Sequence, residues 1–314
     1  MEKFPHPSDQ LCKDLSEISL PFLKDRAQEL KIEGISKGFF QDTVIPLGLY
    51  FNLLPQKERP YLICVTGGQG SGKTTLSHFL QLFLRGACGR SSISFSIDDI
   101  YKTREDREML AKTVHPLCKV RGVPGTHDVQ LGLYTLDALF TAESNTPTPI
   151  PAFSKPLDQR EKKVKWNVFK GRPDFIFFDA WFGGAKPVSE KDWKPPMNDL
   201  ELEEDPDGVW SKWSNKELAG DYQTLFDRFD MLVVIKVPNI DHIYESRWLQ
   251  EQTLAKTLTD AELHKKIMTR KEVEHFVMHY ERLTHYVQEK IPDIADFVIT
   301  RDKRFNYRFS KVPE

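Results

Sequence analysis

Cysteine is scarce: four residues in 314, Cys12, Cys64, Cys88 and Cys118, with no C-x-x-C pair. That scatter excludes a disulfide-stapled scaffold and offers no zinc-ligand spacing, so free thiols are expected, with Cys64 in a core strand. No apolar stretch approaches the ~18 residues of a membrane-spanning helix, so no membrane partner is expected. The opening MEKFPHPSDQ lacks the basic-then-apolar order of a secretory signal, and the expected location is cytoplasmic. An excess of one charge is missing too. The 44 basic and 46 acidic residues give a net charge of −2, without the basic footprint of a nucleic-acid binder. The basic run at 160–165 (REKKVK) reads as a solvated face. There is no internal repeat and no low-complexity tract. A guanine-reading Asn-Lys-x-Asp is absent, the nearest string being Asn215-Lys216-Glu217-Leu218, and so is the Leu-Ser-Gly-Gly-Gln of transporter ATPases. What remains is 39% hydrophobic and 29% charged residues, a composition that suits one large or two ordinary soluble domains.

One string stands out against that background. Gly67-Gly68-Gln69-Gly70-Ser71-Gly72-Lys73-Thr74 meets the phosphate-loop pattern G-x-x-x-x-G-K-[ST] at every fixed position. Residues 61–66 (YLICVT) read as a buried strand before it, and 76–84 (LSHFLQLFL) carry helical periodicity after it. Glycines let backbone N–H groups crowd around phosphate oxygens, and the helix N-terminus turns its dipole to the same charge. Lys73 is expected at the β/γ-phosphates of a nucleoside triphosphate, and the Thr74 hydroxyl on Mg²⁺.

Further strand candidates are 92–97 (SISFSI), 175–178 (FIFF), 231–237 (MLVVIKV) and 296–300 (DFVIT). Strands alternating with helices imply an α/β protein whose mostly parallel sheet is covered on both faces. Ligands then bind at the carboxyl ends of the strands, which singles out Asp98, Asp99, Asp179 and the residues after Val237. Residues 1–60 read as a mainly helical segment packed beside a core domain of 61–314, with no chemistry of its own. Two insertions interrupt the core. One, about 102–170, is polar and rich in Pro and Gly. The other, about 187–222, carries Trp193, Trp210 and Trp213, read as packing residues.

Asp98 ends the second strand, in Ser96-Ile97-Asp98-Asp99-Ile100-Tyr101. Phosphoryl transfer uses a carboxylate beside the acceptor hydroxyl, but Asp after a strand is equally a helix N-cap, and spacing leaves both open. Asp179 closes an apolar strand, the Walker B arrangement for Mg²⁺. The loop Arg121-Gly122-Val123-Pro124-Gly125-Thr126-His127-Asp128 suits an anionic, hydroxylated substrate or an ordinary surface turn. Arg247 and Glu251, at i and i+4, suit a surface ion pair or an arginine closing over the transferring phosphoryl group.

Over residues 61 to about 305, in order, these segments resemble the D-glycerate 3-kinase branch of the phosphoribulokinase/uridine kinase superfamily. Asp179-Ala180-Trp181-Phe182-Gly183-Gly184-Ala185-Lys186-Pro187 and Tyr280-Glu281-Arg282-Leu283 complete the match. The resemblance implies a three-layer α/β/α P-loop kinase with a central, mostly parallel sheet, ATP as donor and Mg²⁺ as cofactor. It implies a small-molecule acceptor, D-glycerate first. Gly67, Gly68, Gln69, Gly70, Ser71, Gly72, Lys73, Thr74 and Thr75 would hold ATP, and Thr74 and Asp179 the metal. Asp98 would act as general base, with Lys73 and Arg247 as catalytic charges. Tyr101, Arg121, His127, Asp128, Lys155 and Trp181 fall on the acceptor side. Two departures stand out. Asp179-Ala180-Trp181 replaces the family's Glu-Gly-Trp. Pro151-Ala152-Phe153-Ser154-Lys155 replaces a pattern resembling Pro-Arg-Tyr-Asp-Lys, so Ala152 and Ser154 stand for an arginine and an aspartate. The stretch 256–271 is a candidate lid. A catalytically degenerate ATP-binding module and a nucleotide-dependent switch are the competing readings, and the oligomeric state is left open.

Overall fold

The computed structural model describes residues 7–30, 35–257 and 267–313. In chain order, helices α1 (Asp9–Glu29), α2 (Lys37–Phe39) and α3 (Ile45–Asn52) lead to β1 (Tyr61–Thr66) and α4 (Lys73–Cys88). Then come β2 (Ser92–Ser96), a 3₁₀ turn (Ile97–Ile100), α5 (Arg104–Thr113) and α6 (Val129–Thr141). Four short strands, β3 (Pro147–Ile150), β4 (Phe153–Ser154), β5 (Gln159–Arg160) and β6 (Asn167–Lys170), precede β7 (Phe175–Asp179). Helices α7 (Asp199–Glu204), α8 (Val209–Leu218) and α9 (Asp221–Phe226) precede β8 (Met231–Lys236). Helices α10 (Asp241–Thr257) and α11 (Arg270–Ile294) are followed by β9 (Phe297–Arg301) and β10 (Tyr307–Lys311). Among the described residues no helix is long and apolar enough to cross a membrane.

The apolar runs pair into one six-stranded sheet in the order β10-β9-β8-β1-β7-β2, parallel except for β10. Alternate residues serve opposite faces. Ile63, Val65, Phe175, Phe177 and Val233 join Phe51, Phe79 and Phe83 in one core. Leu62, Cys64, Ile176, Phe178 and Leu232 join Leu136, Val287 and Ile291 in the other. Helices thus cover both faces, giving a three-layer α/β/α architecture. The four cysteines are free, and Cys64 is fully buried.

Register places the chemistry. Asp179 pairs with Val65 on one side and Ser96 on the other. The carboxyl ends of β1, β7 and β2 therefore converge where β1 passes into the glycine loop. The polar stretch 102–170 is built rather than looped: β3 pairs with β6 and β4 with β5, both antiparallel. Strand β10 had no sequence signal, because an edge strand carrying Arg308 and Lys311 lacks the continuous apolar run of a buried one.

Candidate active site

The glycine loop links β1 to α4, with Gly67, Gly70 and Gly72 at positive φ. A Cβ at Gly67 (φ 134) would stand 2.4 Å from the Ile235 carbonyl oxygen, and one at Gly72 (φ 101) 2.3 Å from Tyr307 Oη, so both positions require glycine. The Lys73 ammonium is buried and donates back to Gly68 O at 3.1 Å. Burial pulls its pKa down, while Asp179 and Asp98 push it up. Thr74 Oγ1 donates to Asp179 Oδ2 at 2.6 Å; these are adjacent hard oxygen donors of the kind Mg²⁺ takes. Gln69 Oε1 and Ser71 Oγ are buried without a partner among the described residues. A cavity of about 220 Å³ opens here, lined by Thr74 and Thr75 on the loop and by Ile35, Phe39, Phe305 and Tyr307. Ile35 and Phe39 come from the 1–60 segment, which so packs against the glycine loop while contributing only apolar surface there.

Beside the loop, Ser96 Oγ accepts from the Asp98 N–H at 3.1 Å, and Asp99 Oδ2 accepts from the Ser96 N–H at 2.9 Å. The capping role open to Asp98 thus belongs to Ser96 and Asp99. The Asp98 carboxylate is left to side chains, with the Tyr101 hydroxyl donating to Oδ1 at 2.6 Å and the Lys155 ammonium to Oδ2 at 2.7 Å. Burial pushes the Asp98 carboxyl up, but Lys155 and Tyr101 outweigh it and hold it at about 2. Burial, reinforced by Asp98 and Asp179 against the Ser96 N–H, pushes Asp99 up to about 7.

The 121–128 loop closes the far side of this cluster. His127 stacks on Tyr101 with ring centroids 4.8 Å apart. Its Nδ1 lies 2.7 Å from Tyr222 Oη, which accepts from the Gly125 N–H at 2.8 Å, and its Nε2 has no partner among the described residues. Burial pulls the ring down to about 3, so it is neutral. Trp181 Nε1 donates to Gly122 O at 3.1 Å and Tyr280 Oη to Arg121 O at 2.6 Å, so both grip the loop backbone. Asp128 caps α6 through the Leu131 N–H at 3.1 Å and pairs with Arg160 at 3.1 Å. Arg121 pairs with Asp158 at 2.5 Å and lies over Phe153.

Two of these partners, Asp158 and Arg160, were not anticipated. Asp158 lies in the turn of the β4–β5 hairpin and Arg160 on its returning strand, with Phe153 and Ser154 of the first strand opposite Arg160 and Gln159. Where the resemblance has an arginine and an aspartate, Ala152 and Ser154 leave a gap. The returning side of the hairpin carries the same two chemistries.

Arg247 is spent on an ion pair with Glu251 and lies over the Phe276 ring at 5.4 Å. The structure does not bring it into the Asp98 cluster. Of the candidate lid 256–271, residues 258–266 lie outside the described residues. Arg301 was passed over, although the strand-end rule points to it. It is buried and donates from Nη1 to Gly70 O at 2.6 Å and from Nη2 to Ser246 Oγ at 3.2 Å.

No family model matches the chain. It is 32% identical over 236 residues to the uncharacterized kinase mug58 of Schizosaccharomyces pombe, spanning 72% of this chain and 80% of that one. It is 29% identical over 203 residues to the chloroplastic D-glycerate 3-kinase of Arabidopsis thaliana, spanning 62% of this chain and 41% of that one. The solved D-glycerate 3-kinase from Cryptococcus neoformans var. grubii matches in fold with a TM-score of 0.62, at 20% identity over 85% of this chain and 96% of that one.

Proposed function

We propose that this chain, which belongs to the D-glycerate 3-kinase-like P-loop kinases of the phosphoribulokinase/uridine kinase superfamily, moves the γ-phosphoryl group of ATP to a hydroxyl of a small hydroxylated acid. D-Glycerate is the leading acceptor. The observation that carries the reading is the meeting of Asp98 with Tyr101 and Lys155 beside a loop whose Lys73 is coupled to the same carboxylate.

Asp98 orients the acceptor hydroxyl and takes its proton late, as a loose transition state permits, and its carboxyl, held near 2 while Lys155 is on it, rises when that partner leaves. To do so it gives up one of its two present partners. Lys155, the more exposed, is the one free to turn to an incoming anion. Lys73 and the loop N–H groups face the charge that gathers on the transferred oxygens. Thr74 and Asp179 would hold Mg²⁺, whose positive charge would offset that of the phosphates. Arg121 and Arg160, now paired with Asp158 and Asp128, are guanidinium groups of the kind that hold a carboxylate through two hydrogen bonds once an acceptor competes for them.

The test is ADP release by the purified protein with Mg²⁺ over D-glycerate, related hydroxy acids, sugars, nucleosides and pantothenate. Turnover with D-glycerate far above the rest supports the proposal. A different preferred acceptor keeps the chemistry and replaces the substrate. ATP binding with no acceptor-dependent release makes the chain a degenerate module.

A further inference from the structure

The 187–222 insertion grips the acceptor loop at three points. Ser214 Oγ, on α8, donates to Pro124 O at 3.0 Å, and Trp213 packs directly against Gly125. Tyr222, in the first turn of α9, takes the Gly125 N–H on its hydroxyl oxygen at 2.8 Å. That third grip reaches further than the other two. The same oxygen lies 2.7 Å from His127 Nδ1, and both residues are buried, at 2% and 3% exposure.

Hydrogen-bond accounting then fixes the state of the imidazole. Either ring nitrogen of a neutral histidine can carry the hydrogen, and a phenol has one hydrogen to give. The Gly125 N–H can only donate, so it uses the Tyr222 oxygen as an acceptor. Among the described residues the phenol hydrogen has no acceptor in reach except Nδ1. The reverse arrangement, with the ring hydrogen on Nδ1, would aim two donors at one oxygen and strand the phenol hydrogen in a buried place, which is costly. The Tyr222 hydroxyl therefore donates to Nδ1, and the ring hydrogen sits on Nε2. Packing alone would not decide this. Tyr101 stacks on the ring, with planes 28° apart, and Phe182 lies 5.7 Å from it. A half-turn about χ2 leaves an imidazole in the same plane, so the rings fix the plane and the Tyr222 bond fixes the direction.

The direction bears on the chemistry through Tyr101. Its hydroxyl donates to Asp98 Oδ1 at 2.6 Å, and its ring is the one that His127 stacks on. Asp98 and His127 are also close enough for each to feel the other's charge. We propose that Tyr222 is a positioning residue for this site: its hydroxyl selects one tautomer and one orientation of His127, with the hydrogen on Nε2, and acts on Asp98 through the His127–Tyr101 stack. The effect on turnover rests on the phosphoryl-transfer reading, whereas the state of the ring does not.

The test has two arms on the whole chain. In the first, the protein carries ¹⁵N-labelled histidine, and long-range ¹H–¹⁵N spectra at neutral pH tell a bare ring nitrogen from a protonated one. The His127 signals are those lost in His127→Gln. Wild type should show a bare Nδ1 and a protonated Nε2. Tyr222→Phe, which keeps the ring and deletes the hydroxyl, should show both tautomers. A hydrogen on Nδ1 in wild type, or an unchanged pattern in Tyr222→Phe, overturns the proposal, and the wild-type spectrum decides alone if the variant does not fold. In the second arm, Tyr222→Phe should lower acceptor-dependent turnover about fivefold, the worth of one neutral hydrogen bond, with the ATP KM within about twofold. Placed on Asp98→Asn, the same change should lower the residual turnover by less than about twofold, because the route it acts through is already cut. An equal fall in both backgrounds would mean that the hydroxyl supports the fold in general, and overturns the route through Asp98. No acceptor-dependent turnover in wild type would refute the phosphoryl-transfer reading and leave the spectra to decide the ring.

Discussion

The Arg121 guanidinium lies 2.5 Å from the Asp158 carboxylate, and with the Arg160–Asp128 pair this contact ties the 121–128 loop to the β4–β5 hairpin. Asp158 sits at φ 51, a left-handed turn position that aspartate tolerates better than most residues. It also pairs at 2.9 Å with Arg107, one of the most deeply buried side chains in the protein. A single carboxylate thus anchors an acceptor-side cation and neutralises a core one. Asp158→Ala is expected to raise the acceptor KM about tenfold or more while leaving the ATP KM within about twofold, since the arginine contact worth most here is lost on one side only. It should also lower unfolding free energy by about 3 kcal/mol, because Arg107 becomes an unmatched buried charge. Steady-state kinetics with each substrate varied in turn decide it. An equal rise in both KM values would mean general loosening rather than a local anchor.

Asp98→Asn tests the base. Ser96 and Asp99 keep the turn capped whatever stands at 98, so the variant should fold as the wild type does. Turnover should fall by about 10²–10⁴, the usual worth of a positioned proton acceptor, with ATP affinity unchanged to within a few-fold. Turnover equal to wild type removes Asp98 from that role.

How far the chain could be read from its sequence follows from what each feature depends on. Buried parallel strands are continuous apolar runs, so Tyr61–Thr66 and Phe175–Asp179 stood out in sequence, and the glycine loop did because a backbone constraint fixes residue type position by position. Pairing is another matter. Arg121–Asp158 and Arg160–Asp128 join charges distant in sequence, and among 44 basic and 46 acidic residues nothing local marks the partners. The ambiguity at Asp98 had the same root. Two adjacent aspartates both suit a cap, and it is the partners each finds in the fold, the Ser96 N–H for Asp99 and Tyr101 and Lys155 for Asp98, that separate their duties.

The His279 ring makes stability depend on pH. Burial, reinforced by His275, holds it down at about 4, against opposing pulls from the His275 carbonyl and Glu204. The unfolded chain takes up that proton near 6.5, whereas the folded chain refuses it until about 4. This contribution is therefore intact above 6.5 and lost as pH falls toward 4, at about 1.4 kcal/mol per pH unit. Asp99, raised to about 7, works in the opposite sense but is common to wild type and variant, so the difference between them is the readout. The stability advantage of wild type over His279→Gln should shrink by about 2 kcal/mol between pH 7 and pH 5 in urea unfolding. An advantage that stays constant over that range would mean that the ring titrates normally in the folded protein.

Arg301 joins the glycine loop to α10, since its guanidinium holds both Gly70 O and Ser246 Oγ while lying over the Phe305 ring at 4.6 Å. Phe305, itself at φ 59, lines the cavity beside Thr74 and Thr75. Arg301→Leu keeps an apolar body and deletes both charged hydrogen bonds, so the loop loses its brace where phosphate is expected to sit. The ATP KM should rise about tenfold, the worth of one charge-assisted hydrogen bond, with the acceptor KM little changed and turnover at saturating ATP within about threefold of wild type. Arg301→Lys should recover only part of the loss, because an ammonium is a point charge and cannot reproduce the planar fork that spans two acceptors. If the leucine variant leaves the ATP KM untouched, the two bonds serve packing alone. If lysine restores the wild-type value in full, charge rather than bidentate geometry braces the loop.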